Sequence, residues 1–330
     1  MHAAYKHAGA ARHIRFCSGM RAGLSFPCLL LLFSLLISCD NTPQGIKSDK
    51  PGPGKIREEN FTIALLPEQN VFEQKKRYRP LAEYLSNTLN TNVKIKLLDS
   101  YGAIDNEIKH KTIDGAFFGS LNYVLEKEKD RLEPIARPVE PDGRSLYRGI
   151  IFTRKGSGIT ENVTSWKGKS IALVHEETTA GYIFPRWYLT RYGIWNFESH
   201  FKKIIFTGSH DAAILTVYKG HAALGAAKDI VYEKVLSENP AIRDDMLIIA
   251  RSMEVPSNSL CVRGDIEPAL REALKKVLLS MHTTPEGKHA LKALDAVRFT
   301  ETTDSEFHAL REMIREAGID TKTYHLRDRR

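Results

Sequence analysis

Ser209, His210 and Asp211 are consecutive in "IIFTGSHDAAI", and together they hold the three side-chain types of a hydrolytic triad. A triad needs its imidazole between the other two groups in space. Neighbours in a helix or strand point in different directions, so adjacency argues against that chemistry. The stretch reads instead as a strand, a Thr207-Gly208 turn and a helix capped by Ser209. A capped helix start offers free backbone N–H groups and the positive end of the helix dipole, which suits an anion. A second turn of this kind stands in "SIALVHEETTAGYIFPRWYL", where Thr178 and Thr179 cap a helix and Gly181 permits close backbone approach. Hydroxyls beside a helix N-terminus suit a tetrahedral oxyanion. In the preceding half of the chain, Tyr101 and Tyr123 follow two successive apolar runs, each able to pack its ring and present its hydroxyl.

The elements that must position these residues alternate. Short apolar runs at 61–66, 93–98, 114–118, 149–153, 170–174, 202–206, 222–227, 246–250 and 259–263 are separated mostly by helical segments such as "QKKRYRPLAEYLSNTLN" and "EPALREALKKVLLSM". Strand–helix alternation predicts an α/β protein with parallel sheets covered by helices. Two groups with the same rhythm predict two lobes. The first takes residues 61–148 and receives the chain again from about 256 to 330. The second takes residues 149–255. "LYRGIIF" and "RSMEVPSNS" are the expected hinge strands. Ligands of such sheets bind beyond the carboxyl ends of the strands, so the polar turns should converge on the cleft between lobes.

The N-terminus carries a different signal. "MRAGLSFPCLLLLFSLLISCD" has a basic start, an apolar core from about Leu29 to Ile37 and small Ser38 before Cys39. This is the pattern of a secretory signal peptide spanning residues 1–38, with 1–19 as an upstream extension before Met20. Leu36-Ile37-Ser38-Cys39 resembles a bacterial lipobox, whose cysteine is lipidated and becomes the mature N-terminus. Asp40 resembles an inner-membrane retention signal. Residues 39–60, rich in Pro, Gly and polar residues, read as a flexible tether. Cys17 and Cys28 fall within the signal, so only Cys261 is left as a free thiol, in the strand-like "SLCVRG".

The 330 residues carry a net charge of +8, but from Cys39 onward 44 basic residues face 40 acidic ones. That balance is too mild and too evenly spread for nucleic acid, and compatible with attraction of small anions. No P-loop, nucleophile elbow, zinc-protease helix or C-x-x-C motif occurs. The reading is therefore of a binding protein with no cofactor and no metal. An enzyme using His210 with Glu176 or Glu177 is the weaker alternative.

The ordered set "RYRPLAEYLSNTLNTNVKIKLLDSYGAI", "KTIDGAFFGSLNYVL", "SWKGKSIALVHEETTAGYIFP", "FTGSHDAAILTVYKG" and "VPSNSLCVRGDIEPALREALKKVLLSMHTTPEGKHAL" resembles the substrate-binding proteins of phosphate, phosphite and phosphonate ABC transporters, the PhnD-like periplasmic family. The resemblance runs from Phe61 to Asp320. It implies a two-lobed, type II periplasmic-binding-protein fold with the anion between the lobes. It implies ligand contacts from Tyr101, Tyr123, Thr178, Thr179, Ser209 and His210. It also implies a monomer that serves an ABC permease and ATPase, with a membrane sensor kinase as the alternative partner. Two positions depart from the family. Ala180 stands where its "STSG"-like turn has a second serine, and Ala223 stands where a "G-x-x-D-A" aspartate is common. The second change removes an acceptor, which disfavours a 2-aminoethylphosphonate-type ligand and leaves an oxyanion outside phosphorus chemistry as an alternative.

Overall fold

The computed structural model describes residues 60–68, 70–129 and 131–324. The predicted signal peptide, Cys39 and nearly all of the predicted tether lie outside the described residues. In chain order the strands are β1 (Asn60–Leu65), β2 (Asn92–Leu97), β3 (Gly115–Phe118), β4 (Leu132–Val139), β5 (Leu146–Arg154), β6 (Ser170–Leu173), β7 (Lys203–Phe206), β8 (Leu224–Lys228), β9 (Met246–Pro256), β10 (Ser259–Arg263) and β11 (Arg298–Glu301). The helices are α1 (Val71–Leu89), α2 (Ala103–Lys109), α3 (Ser120–Lys127), α4 (Phe184–Thr190), α5 (Phe197–His200), α6 (His210–Tyr218), α7 (Asp229–Glu238), α8 (Pro240–Asp245), α9 (Pro268–Ser280), α10 (Pro285–Ala293) and α11 (His308–Glu316).

The strands form two sheets, ordered β11-β4-β10-β3-β1-β2 and β7-β6-β8-β5-β9. Within the first, β1 pairs in parallel with β2 and β3. Within the second, β6 pairs in parallel with β7 and β8. The remaining pairs are antiparallel. Both sheets are thus mixed, where the alternation of elements predicts parallel ones. The departures come from strands that complete each sheet after a chain crossing, and from β4 and β11, which the apolar runs do not announce. Pro134 and Pro138 interrupt the β4 sequence. The ladder accommodates them where the β4–β10 register shifts, between Leu260 and Cys261, and where Pro138 meets the edge strand β11.

Period-two alternation builds the first sheet's two faces. Phe61, Ile63 and Leu65 of β1 join Phe117, Leu260 and Val262 in one core, under α1, α9 and α10. Ala64, Ala116, Phe118 and Cys261 face the other way, into a core that also contains the second sheet. One apolar cluster therefore runs through both lobes. The chain passes between sheets between Val139 and Leu146, and again between Pro256 and Ser259. The C-terminal segment does not stay on the first lobe. Phe307, just ahead of α11, packs on Tyr123 of α3 with ring centroids 4.2 Å apart. Further along, Trp187 Nε1–H of α4 donates to Glu316 at 2.8 Å, and Tyr324 donates to the Glu176 carbonyl at 2.7 Å. Residues 304–324 strap the lobes together.

Candidate functional site

Six strand ends meet at the junction of the lobes. From the first sheet come the turn after β1 with Glu68, the turn after β2 with Tyr101, and the start of α3 after β3, with Ser120 and Asn122. From the second come the His175–Thr179 turn after β6, the Thr207–His210 turn after β7, and Lys228 at the end of β8. Four contacts join the two sets. His210 N–H donates to the Glu68 carbonyl at 3.2 Å. Lys228 Nζ donates to Glu68 Oε1 at 2.6 Å, and Asn122 Nδ2 to Glu177 Oε2 at 3.0 Å. Tyr101 stacks on His175, with centroids 5.5 Å apart and planes 21° apart.

Five side-chain atoms at this junction are buried with no hydrogen-bond partner: Tyr101 Oη, Asn122 Oδ1, Thr179 Oγ1, His210 Nε2 and Ser257 Oγ. Among the described residues only His282 Nδ1, in the turn after α9, shares that condition. Buried polar groups are paired almost without exception, because desolvating one without a partner costs about 1–3 kcal/mol. Five at one place mark a surface shaped for something polar.

The protonation of these groups follows from their surroundings. Burial, with the charges of Glu68 and Asp211 nearby, holds the Tyr101 phenol well above its ordinary value, so it carries its proton. Burial and the Lys228 charge push His210 well below the ordinary histidine value, so its imidazole is neutral. Lys228 N–H donates to His210 Nδ1 at 3.2 Å, which leaves the ring proton on Nε2. Asn122 offers its NH₂ to a carboxylate, and a flip would set oxygen against oxygen, so Oδ1 is the free acceptor. The junction thus holds four neutral donors, Tyr101, Thr179, His210 and Ser257, and one acceptor with no proton of its own, Asn122.

The sequence-predicted residues separate into two groups here. Tyr101, Thr179 and His210 come together with unmatched polar atoms. Thr178 is buried beside them, but its hydroxyl donates to the His175 carbonyl at 2.6 Å, and the helical turn Thr179–Ile183 that follows has no side-chain cap. The expectation that both threonines cap is corrected by that bond. Gly181 is required there, since a Cβ would come within 2.6 Å of Thr178 Oγ1 and 2.5 Å of Val174. Ser209 does cap α6, accepting from Ala212 N–H at 3.4 Å, and its own proton goes to Asp211. His210 takes no part in that pair, so the trio is no triad. Tyr123 stands apart from the cluster. Its hydroxyl donates to Asp304 at 2.8 Å and its ring packs on Phe307.

Sequence reasoning missed Asn122, Lys228 and Ser257 as cluster members. A lysine closing the buried run "LGAAK" was the available signal for one of them. A cavity of about 120 Å³ adjoins the cluster, lined by Glu68, Lys228, Ser257 and Asn258 together with Arg77 and Tyr78 of α1. None of the six predicted site residues lines it, and Glu68, Lys228 and Ser257 are common to cavity and junction. Among the described residues no group of His, Cys, Asp or Glu is arranged to hold a metal ion. None of their helices is long and apolar enough to cross a membrane.

Two α/β lobes with strand-end turns converging between them define a type II periplasmic binding protein. A family profile described as "ABC transporter, phosphonate, periplasmic substrate-binding protein" matches residues 63–307, and the chain belongs to that family. It is a family of transport binding proteins, not of enzymes. The probable ABC transporter phosphite binding protein PhnD1 of Prochlorococcus marinus is 24% identical over 264 residues, 77% of this chain and 88% of that protein. The phosphate-import protein PhnD of Mycolicibacterium smegmatis is 22% identical, over 69% of this chain and 74% of its own length. Among solved structures, PhnD1 from Prochlorococcus marinus in complex with methylphosphonate superposes with a TM-score of 0.70 at 23% identity, covering 79% of this chain and 98% of that one. A binding protein component of an ABC phosphonate transporter from Pseudomonas aeruginosa gives 0.72 at 17% identity, covering 78% and 86%.

Proposed function

We propose that this protein takes up one small tetrahedral phosphorus oxyanion between its lobes and presents it to the permease and ATPase of an ABC importer. The observation that carries the reading is the set of buried, unmatched donors from both lobes: Tyr101 Oη, Thr179 Oγ1 and His210 Nε2. Neutral donors fixed in a buried site stabilise an anion without a counter-charge, because little reorganisation is needed when it arrives. The acceptor Asn122 Oδ1 adds selectivity. It matches a ligand that still carries an O–H, such as hydrogenphosphate or a monoprotonated phosphite or phosphonate. Sulfate has no proton to give at neutral pH and would leave that acceptor buried and unpaired. Ala223 stands at the other end of β8, its N–H on Ser170 and its carbonyl on Thr153, so the acceptor expected at that position falls outside the cluster and Asn122 is the one that faces it. Ser209, Thr178 and Tyr123 support the site's framework in this reading, through the bonds described above.

Calorimetric titration of the purified protein, unfolded and refolded to strip carried-over ligand, tests this with phosphate, phosphite, methylphosphonate and sulfate. Saturable binding of a phosphorus oxyanion with sulfate at least roughly tenfold weaker supports it. Equal binding of sulfate, or none of the panel bound, rejects it. Lipidation at Cys39, with the mature chain monomeric on the periplasmic face, completes the proposal and rests on the lipobox-like sequence. Radiolabelled palmitate incorporated by the wild type and absent from Cys39→Ala is the expected result.

A further inference from the structure

Lys228 is a buried cation that the oxyanion reading does not use. Its side chain is 4% exposed and that of its partner Glu68 12%. Burying an ammonium costs several kcal/mol unless its N–H groups are matched. Here Nζ donates to Glu68 Oε1 at 2.6 Å and to Asn258 Oδ1 at 2.7 Å, and lies 4.8 Å from the centre of the Tyr147 ring. A carboxylate, an amide oxygen and an aromatic face together make a receptor for a primary ammonium. This receptor abuts the unmatched donors. A Cβ on Gly119 would lie 3.7 Å from Glu68 Oε1 and 3.6 Å from Asn122 Oδ1. The Tyr147 hydroxyl faces Ser120 at 3.2 Å and lies near Thr179. The Lys228 backbone itself fixes the His210 ring.

We infer that Lys228 is a specificity-determining residue: a tethered ammonium filling the cage where the amino group of an aminoalkyl oxyanion would sit, so that the site admits oxyanions without a cationic arm. The inference rests on the oxyanion reading above and adds which members of that class are refused. An amine-bearing ligand would have to displace Lys228 from two charge-assisted or dipolar bonds, or leave its own ammonium beside another one. Ligands with a short apolar arm or none face neither cost.

The test is the affinity of the purified protein and of Lys228→Ala for methylphosphonate and for 2-aminoethylphosphonate. The wild type should prefer methylphosphonate by roughly tenfold or more. In Lys228→Ala the cage opens and Glu68 is released, so the ratio should move toward 2-aminoethylphosphonate by a similar factor. Lys228→Met, which keeps the volume and removes the charge, should move it less. Wild-type protein that binds both ligands alike overturns the inference. So does a Lys228→Ala variant that weakens both equally, since Lys228 would then serve only to hold the lobes together. Should Lys228→Ala fail to fold, Lys228→Met carries the test, and a ratio equal to that of the wild type overturns the inference. Silence of the wild type toward every phosphorus oxyanion is a different outcome, which removes the oxyanion reading and this inference with it.

Discussion

The turns after β6 and β7 look alike in sequence, yet they divide their polar atoms between two tasks in the same order. In each, the hydroxyl just ahead of the helical segment is consumed by the turn. Thr178 bonds the His175 carbonyl, and Ser209 caps α6 and bonds Asp211. In each, the next residue is left with an unmatched atom, Thr179 Oγ1 or His210 Nε2. The two tyrosines of the first lobe part in the same way. Tyr123 is satisfied by Asp304, and Tyr101 is not satisfied at all. The lesson is that adjacent polar residues in a site split into those that build it and those that face the ligand. The split is decided by which backbone groups the turn leaves within reach.

Substitutions within each pair should sharpen or break that division. The largest contrast is expected at the β7 turn. His210→Ala removes a donor to a buried anion and should weaken phosphorus-oxyanion binding by about 1.5–3 kcal/mol. Ser209→Ala removes a cap and should lower folding stability by about 0.5–2 kcal/mol while binding falls far less. Titration and thermal melts of the two variants separate these effects. At the β6 turn, Thr179→Val should weaken binding at little cost to the free protein, because its hydroxyl has no well-formed hydrogen bond there and only lies near that of Tyr147. Thr178→Val should cost about 0.5–1.5 kcal/mol of stability. Equal losses of affinity from both threonines would break the comparison. Among the tyrosines, Tyr101→Phe should reduce affinity and leave the melting temperature of the ligand-free protein unchanged or higher. Tyr123→Phe should do the reverse, lowering stability by about 0.5–1.5 kcal/mol.

The gentlest effect is a slope with pH. The folded-state value of His210 is depressed by burial and by Lys228, while in the unfolded chain it returns to about 6.5. Below that value the unfolded state binds the extra proton, so His210 contributes stability that is present above pH 6.5 and lost as the pH falls. Denaturant titrations between pH 7 and pH 5 should show stability falling toward acid, with the slope reduced in His210→Ala.

Much of the scaffold was legible because strand ends announce themselves. Apolar runs that stop at a polar turn gave the positions of Tyr101, Thr179 and His210, and every one of those runs became a strand. What could not be read was the pairing across space. Two prolines hid β4, and β11 has only four residues, RFTE. Nothing in the α11 sequence says that its C-terminal end packs against α4 of the other lobe. Asn122 was obscured by its neighbour Tyr123, an aromatic one position along the same first turn. Lys228 reads as a surface charge until the fold buries it against Glu68, which lies 160 residues away.

The central claim is tested most directly by a crystal structure of the stripped protein with methylphosphonate. The account predicts phosphonate oxygens within hydrogen-bonding distance of Tyr101 Oη, Thr179 Oγ1 and His210 Nε2, with Lys228 still paired to Glu68. A phosphonate bound elsewhere, with those three atoms still unmatched, would contradict it.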